Sequence, residues 1–341
     1  MKTKITTDWH IAVRRMAGTT PATQQALRDD LRAALESNLD DTDHLIMGDV
    51  FNDFTVEASE LIATYTIFSE WLDKYGRKLA LLRGNHDHSM RGTQASSFDL
   101  LGHILKRHFP DQVTVADEVM EWKQFVLIPH LPNNDILNVE VAKLGDVRDK
   151  VVVFHANVDN FFASDSQHSL NLSMEQVEDL VGRGNLVLVG HEHQHRQLVD
   201  GRCVVLGNTA PSSVADCIGN DAKFCAYVSG TECELVETWK ADGNFAELDW
   251  RDLSDGGHKF IRVVGDAAAE QAADVVNAIA KFRQASSAYV ISNSVKIEGQ
   301  ELLAEMGVDS VEAIKKFDVT GAIFSRLTER EIEVVKELLN A

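Results

Sequence analysis

Short apolar runs alternate with amphipathic segments along the first two thirds of the chain. The runs HLIM (44–47), LALL (79–82), FVLIP (125–129), VVVF (151–154) and LVLVG (186–190) have the length of buried strands. Apolar residues at helical spacing occupy much of the sequence between them. Strands that alternate with helices in this way predict stacked sheets with helices on their outer faces, an α/β sandwich.

Turn and capping residues set the expected ends of several elements. Thr20 and Pro21 are typical of the N-cap and the first residue of a helix. A long amphipathic helix is predicted over 57–75, and Gly76 terminates it. The first strand, KTKIT (2–6), is polar, and we therefore expect it at the edge of a sheet.

The sequence changes character at the polar, glycine-containing stretch DLSDGGHK. A strand, a helix and a strand follow it, which predicts a small α/β unit over 256–299 after a main domain over 1–255. The remainder, 300–341, is expected to be helical, because Asp309–Glu312 and Thr328–Glu331 have the pattern of capping boxes.

The composition of the 341 residues is that of an ordinary globular protein, with 44% hydrophobic and 25% charged residues. No apolar run approaches the roughly 18 residues of a membrane span. No apolar stretch follows Lys2 and Lys4, so we expect no secretory signal and a cytoplasmic location. The formal net charge of −20 argues against a broad basic face that binds nucleic acid unaided.

The four cysteines are close enough in sequence to raise the question of a zinc site. None belongs to a CxxC pair, and three lie in strand-like apolar segments, which favours buried reduced thiols in a reducing compartment. They are Cys203, Cys217, Cys225 and Cys233.

Residues with catalytic or metal-binding chemistry follow five of the predicted strands, at the point where each strand ends. In an open α/β sheet, such residues meet in the crevice beyond the C-terminal ends of the strands. Mixed carboxylate and imidazole ligands suit Mn²⁺, Fe, Zn²⁺ or Ni²⁺ rather than Ca²⁺, and the set is large enough for two ions. Two adjacent ions can clamp a phosphoryl group and generate hydroxide from water. The residues are Asp8, His10, Asp49, Asn85, His86, Asp87, His155, His191 and His193.

The order DxH, GD, GNHD, a single His and GHxH, each at a strand end, resembles the calcineurin-like metallophosphoesterase family. The resemblance implies a four-layer α/β/β/α sandwich that hydrolyses phosphoesters. It also implies two divalent metal ions, with Mn²⁺ expected first and Mg²⁺, Fe, Zn²⁺ or Ni²⁺ as alternatives.

The resemblance also implies a role for each residue of the set. The ligands are Asp8, His10 and His193 for the first metal and Asn85, His155 and His191 for the second, with Asp49 bridging the two. His86 is expected to contact the phosphate and to act on the leaving group, oriented by Asp87.

Two further segments resemble the SbcD-type nucleases, the nuclease subunits of double-strand-break repair complexes that pair with an SMC-like ATPase. They are GDVFND (48–53), with the helix after it, and VVLGNTAPSSVAD (204–216). The small α/β unit and the helical tail match the capping domain and the ATPase-binding segment of that family by position, and the compact length most resembles its phage recombination versions. One departure is Asn52, which stands where many relatives carry Asp or His.

This closer resemblance implies a nuclease subunit that acts in DNA repair or recombination in a bacterial or phage-infected cell. The expected activities are a double-strand exonuclease and a single-strand endonuclease. Homodimer formation and the ATPase, bound to the tail, would supply the DNA-binding contacts that the acidic chain lacks.

Two other functions stay open at this stage. A small-molecule or cyclic-nucleotide phosphodiesterase, or a phosphatase, would use the same chemistry, and the acidic charge favours it. A non-catalytic subunit that only docks the ATPase is disfavoured by the complete ligand set.

Several polar residues near the motifs have two interpretations. His88, His130 and His195 either line the cleft or are loop and structural histidines. The basic residues near the GNHD turn either meet a DNA backbone or keep an acidic protein soluble; they are Arg77, Lys78, Arg83 and Arg91.

Overall fold

The fold is described by a computed structural model. It describes residues 2–12, 21–37, 42–88, 94–160, 170–211, 222–240, 243–254 and 256–298, with only the backbone given for 21–27 and 289–292. The predicted partner-binding tail, 300–341, lies outside the described residues, and so do Arg91 and Cys217.

The described residues form six α-helices. Gly76 ends the second of them in a left-handed conformation, and its N–H donates to the carbonyl of Leu72, as the sequence predicts. Within this part of the chain, the helices are too short or too polar to cross a membrane. Their bounds are α1 (Pro21–Glu36), α2 (Ala58–Tyr75), α3 (Ser97–His108), α4 (Asn134–Lys143), α5 (Met174–Gly182) and α6 (Ala272–Ala285).

Two large sheets make up the main body of the protein. The first contains, in spatial order, β13 (Glu232–Trp239), β12 (Lys223–Ser229), β1 (Thr3–Thr6), β2 (Asp43–Ile46), β3 (Leu79–Leu82) and β4 (Val113–Ala116). The second contains β10 (Arg196–Leu198), β11 (Cys203–Val205), β9 (Leu186–His191), β7 (Val151–Val158), β6 (Phe125–Ile128) and β5 (Met120–Trp122), with β8 (Asn171–Leu172) beside β7.

The two sheets pack face to face, and helices cover their outer faces. Leu45 and Val153 contribute to the apolar layer between the sheets, whereas Ile46 and Val152 belong to the layers beneath the helices. Successive side chains of a strand point to opposite faces. Because both faces are buried, the strands read as continuous apolar runs. The predicted α/β/β/α sandwich is confirmed.

The first strand lies in the middle of its sheet, so its expected position at an edge is wrong. β1 pairs with β12 on one side and with β2 on the other, and all four of its residues are buried. Two of its polar side chains have internal partners: Lys4 Nζ donates to Ser37 Oγ at 2.7 Å, and Thr6 Oγ1 bonds to His44 Nε2 at 2.8 Å. Lys4 and Thr6 are therefore polar because they have buried hydrogen-bond partners, and not because they are exposed to solvent.

Parallel pairing aligns the ends of the strands that carry the chemistry. Thr6 lies opposite Ile46, which in turn lies opposite Leu81, so β1, β2 and β3 end level with one another. In the second sheet, Ala156 lies opposite His191, the last residue of β9, so His155 and His191 lie level with each other. β7 continues to Val158, and His155 therefore lies within this strand and not, as the sequence analysis expects, after it. The segments that follow these strands therefore emerge at one edge of the sandwich.

A smaller sheet follows the sandwich and has a core of its own. Strands β14 (Phe245–Asp249), β15 (Phe260–Val264) and β17 (Tyr289–Asn293) are parallel, and β16 (Asp266–Ala267) pairs with β18 (Lys296–Ile297). The apolar side chains of this unit, packed with α6, include Trp250, Ile261, Val263, Val275 and Phe282. Because β14 belongs to this sheet, the sheet extends ahead of the boundary expected at residue 256.

We expect Lys4→Ala to lower the free energy of unfolding by about 1–3 kcal/mol, because it removes a buried donor from the last turn of α1. The ammonium of Lys4 also donates to the carbonyl of Ala34, so the variant leaves a helix end without its cap. Urea unfolding followed by circular dichroism measures the change.

Lys2→Ala is the matched control for this prediction. Lys2 lies on the same side of the chain but pairs with Glu234 at the exposed surface, at 2.9 Å. Such pairs contribute about 0–1 kcal/mol. Equal losses in the two variants would contradict a structural role for the Lys4 ammonium.

Candidate metal centre

The segments after β1 and β2 run side by side and hold the first candidate residues. The N–H of Asp8 donates to the carbonyl of Gly48 at 3.1 Å, and the N–H of His10 donates to the carbonyl of Asp49 at 3.0 Å. Asp8, His10 and Asp49 have positive φ angles of 52°, 47° and 50°. Non-glycine residues adopt this region rarely, so backbone strain is concentrated where the chemistry lies.

Two glycines allow the loops to approach one another. A Cβ on Gly84 would lie 2.0 Å from Asp49 Oδ1, and a Cβ on Gly48 would lie 2.2 Å from His155 Nδ1. Both distances are far below van der Waals contact. The glycines before Asp49 and Asn85 are therefore required by the close packing of the candidate ligands.

The first group of donors comprises Asp8, His10 and His193, whose ligand atoms lie within 4.8 Å of one another. The Nε2 atoms of His10 and His193 are 3.1 Å apart, and Asp8 Oδ1 lies 3.8 Å from His10 Nε2. Asp8 Oδ1 is buried and has no hydrogen-bond partner among the described residues. A bound cation would satisfy this oxygen, so the group fits a metal ion.

The second group comprises Asn85, His155 and His191. Asn85 Oδ1 lies 2.9 Å from His155 Nε2 and 2.8 Å from His191 Nδ1. The other ring nitrogen of His155 donates to the carbonyl of Met47 at 2.8 Å, which leaves Nε2 as the atom that faces the group. One amide oxygen and two imidazole nitrogens thus converge, as a second metal ion requires.

Asp49 lies between the two groups. Its Oδ2 is 3.8 Å from His10 Nε2 and 3.4 Å from His155 Nε2, while Oδ1 accepts the N–H of His86 at 3.0 Å. Burial alone would raise the pKa of Asp49, but the surrounding imidazoles, His155 foremost, together hold that pKa well below its usual range. The carboxylate is therefore anionic and placed to bridge.

Electrostatics prepares several imidazoles for metal binding. Burial lowers the pKa of His10 and of His191 to about 3, so both rings are neutral at neutral pH. Burial also lowers the pKa of His155, but the charge of Asp49 prevails and raises it to about 9. A cation held by the second group would therefore take the place of the proton shared by Asp49 and His155.

His86 and Asp87 have different partners from those expected. His86 Nδ1 bonds to the backbone carbonyl of Asn52, and its ring lies 4.9 Å from that of His10. The expectation that Asp87 orients this imidazole needs correction. Asp87 is buried, and its carboxylate accepts the N–H groups of Val50 and Phe51 at 3.3 Å and of Gly84 at 3.0 Å. It ties the two ligand-bearing loops together, because a carboxylate can satisfy several amides that turns leave unpaired.

An ion pair that the sequence analysis did not single out holds the last loop. Glu192 accepts two hydrogen bonds from Arg196, at 2.6 and 3.0 Å, and a third from the N–H of Val158 at 2.8 Å. Arg196 also donates to the carbonyl of Val158 at 2.7 Å. The pair thereby fixes His191 and His193, which flank Glu192, to the end of β7. The spacing of Glu192 and Arg196 in GHEHQHR was the available signal.

Three further residues that the sequence analysis names near the motifs have partners in the structure. His130 is buried beside the second group, at 6.3 Å between its ring and that of His155. His195 packs on Phe224, with ring centroids 4.5 Å apart. Arg83 donates to Asp99 at 2.7 Å, so an acidic partner already engages its guanidinium.

The three described cysteines are free thiols and lie outside the donor groups. Burial raises the pKa of Cys203 to about 12 and that of Cys233 to about 11. Thiols held in the protonated form are poor metal ligands, which agrees with the expectation of buried reduced cysteines.

Gly84→Ala is expected to weaken Mn²⁺ binding at least about tenfold, because its Cβ would displace the Asp49 carboxylate that lies between the two donor groups. Isothermal titration calorimetry on the purified protein measures the affinity. Gly145→Ala is the control, since nothing lies within 4 Å of a Cβ at that position. Unchanged binding in Gly84→Ala would contradict the placement of Asp49.

Comparisons with known proteins identify the family. No curated protein matches the chain. A crystal structure of a dimetal phosphatase from Danio rerio is 11% identical, with a TM-score of 0.34, and the match covers 70% of this chain and 99% of that one. A similarity of this size carries no conclusion about the reaction. The profile of the calcineurin-like phosphoesterase family matches residues 1–195, more than half of the sequence and the part that carries the centre. The chain therefore belongs to the calcineurin-like phosphoesterase family.

Proposed function

We propose that this protein is a metal-dependent DNA nuclease of the SbcD type, which acts with an SMC-like ATPase in DNA repair or recombination. The observation that carries the proposal is the combination of the donor centre with a second unit that follows it in the chain. The small sheet and α6 come after the last ligand loop, and a centre for a small ester has no need of them.

Contacts between the second unit and the sandwich support this reading. Lys259, which directly precedes β15, forms an ion pair with Asp30 on α1. The ring of Phe260 lies 5.7 Å from that of Trp239 at the end of β13. The unit is thus held beside the strand that leads into it, as a capping domain for an extended substrate would be.

The chemistry of the centre can be assigned to individual residues. When two divalent ions are bound, they supply positive charge that polarises the phosphoryl oxygens and lowers the pKa of an attacking water. Asp8, His10 and His193 would hold one ion, Asn85, His155 and His191 the other, with Asp49 shared. His86 is fixed through Nδ1 to the Asn52 carbonyl, which leaves Nε2 to contact the phosphate and assist the leaving oxygen.

The charge of the chain shapes the expected assembly. A formal net charge of −20 opposes binding to a polyanion. In the proposed complex, a second copy of this chain and the ATPase, bound through 300–341, provide the contacts to DNA. The mixed carboxylate, amide and imidazole donors suit Mn²⁺, Fe, Zn²⁺ or Ni²⁺. The resemblance to the SbcD-type nucleases makes Mn²⁺ the metal expected first.

The same centre could serve a small-molecule or cyclic-nucleotide phosphodiesterase or a phosphatase, and the acidic charge is the observation that favours this second candidate. The two candidates differ in substrate and not in chemistry. They are distinguished by comparing DNA with a small phosphodiester on the same protein.

His86→Ala is expected to lower the Mn²⁺-dependent degradation of linear double-stranded DNA by at least about 100-fold, because it removes the group that acts on the leaving oxygen. Hydrolysis of bis-p-nitrophenyl phosphate should fall in parallel. His103→Ala, on the exposed surface of α3, is the control and should retain both activities.

The comparison of substrates decides between the candidates. Wild-type cleavage of bis-p-nitrophenyl phosphate without any cleavage of DNA, even with the ATPase added, would contradict the nuclease and favour the small-substrate enzyme. Retention of DNA cleavage in His86→Ala would contradict the role given to His86.

A further inference from the structure

His130 lies at the same edge of the sandwich as the metal donors. It follows β6, which runs parallel to β7 with Ile128 opposite Phe154, so it emerges beside the strand that carries His155. Its N–H donates to the carbonyl of Arg83 at 2.9 Å, two residues before Asn85. His130 therefore stands between the loop of Asn85 and the strand of His155.

The ring of His130 is buried without satisfying its hydrogen-bonding capacity. The residue is 9% exposed, and its Nδ1 atom has no hydrogen-bond partner among the described residues. Its ring contacts that of His155 edge-on, with 6.3 Å between centroids and 79° between planes. An unsatisfied buried nitrogen is destabilising, so an apolar residue would be more stable at this position unless the imidazole has another role.

Two histidines outside the predicted ligand set thus flank the centre. His86 lies beside His10 of the first donor group, with 4.9 Å between their ring centroids. His130 lies beside His155 of the second group. It follows β6 of the second sheet, whereas His86 follows β3 of the first. A phosphoryl group held across the two donor groups would meet one imidazole at each end of the centre.

We propose that His130 is a second substrate-contacting residue, which hydrogen-bonds a phosphoryl oxygen of the ester beside the second donor group. It contributes binding and orientation of the phosphoryl group, and no covalent step is assigned to it. The inference rests on phosphoester hydrolysis by this centre and applies equally to DNA and to a small ester.

His130→Phe tests the inference, because it keeps a planar ring in the buried position and removes both nitrogens. The probe is inorganic phosphate, titrated into the Mn²⁺-loaded protein by calorimetry. The variant is expected to bind phosphate at least about tenfold more weakly, the size of a lost hydrogen bond to a charged group. Mn²⁺ titration should still show wild-type stoichiometry, and the KM for bis-p-nitrophenyl phosphate should rise more than kcat falls.

His130→Gln, which keeps a donor and an acceptor, should recover part of the phosphate affinity, and His103→Phe on the surface of α3 should leave it unchanged. Wild-type phosphate affinity in His130→Phe would overturn the inference and make His130 a packing residue. Loss of one Mn²⁺ ion would also overturn it, because His130 would then act on the metal. Failure of the wild-type protein to hydrolyse the ester would contradict the proposed function. The phosphate titration would still test whether His130 contacts a phosphoryl oxygen.

Discussion

The negative charge of Asp49, buried between two groups of metal donors, is the constraint on which the site depends. A buried carboxylate is costly unless positive charge and hydrogen bonds surround it. Here the compensation comes from the protonated ring of His155 on β7 and the N–H of His86 after β3. Because these partners belong to separate strands, both sheets must end at the same edge for the charge to be tolerated.

The close approach of these loops explains the unusual backbone around the centre. At Gly48 and Gly84 there is no room for a Cβ, because His155 and Asp49 lie too close. Asp8 and His10 adopt left-handed backbone conformations. Such strain persists only where a rigid surrounding structure determines it. Asp87 provides part of that rigidity by binding the backbone of both loops, and the Glu192–Arg196 pair does the same for the loop of His191 and His193.

Most residues that the structure brings together at this edge could be located from the sequence, because their signals are local. An apolar strand followed by Asp, Asn or His can be recognised within a few residues of sequence. Parallel pairing of the strands then brings these side chains to the same edge of the sandwich. The central position of β1 was not predictable, because its partner β12 follows far later in the chain and because Lys4 and Thr6 of β1 find buried partners. Asp87 follows His86 directly, yet the tight turn sends its carboxylate to backbone amides and not to the imidazole, which adjacency in sequence does not reveal.

The most direct test of this account is the number of metal ions that the protein binds. Calorimetric titration of the wild-type protein with Mn²⁺ should reach two ions per chain, and Asp49→Asn, which removes the shared negative charge, should weaken both sites together. Saturation at a single ion in the wild type, or independent behaviour of two sites in the Asp49→Asn variant, would contradict a centre built around one bridging carboxylate.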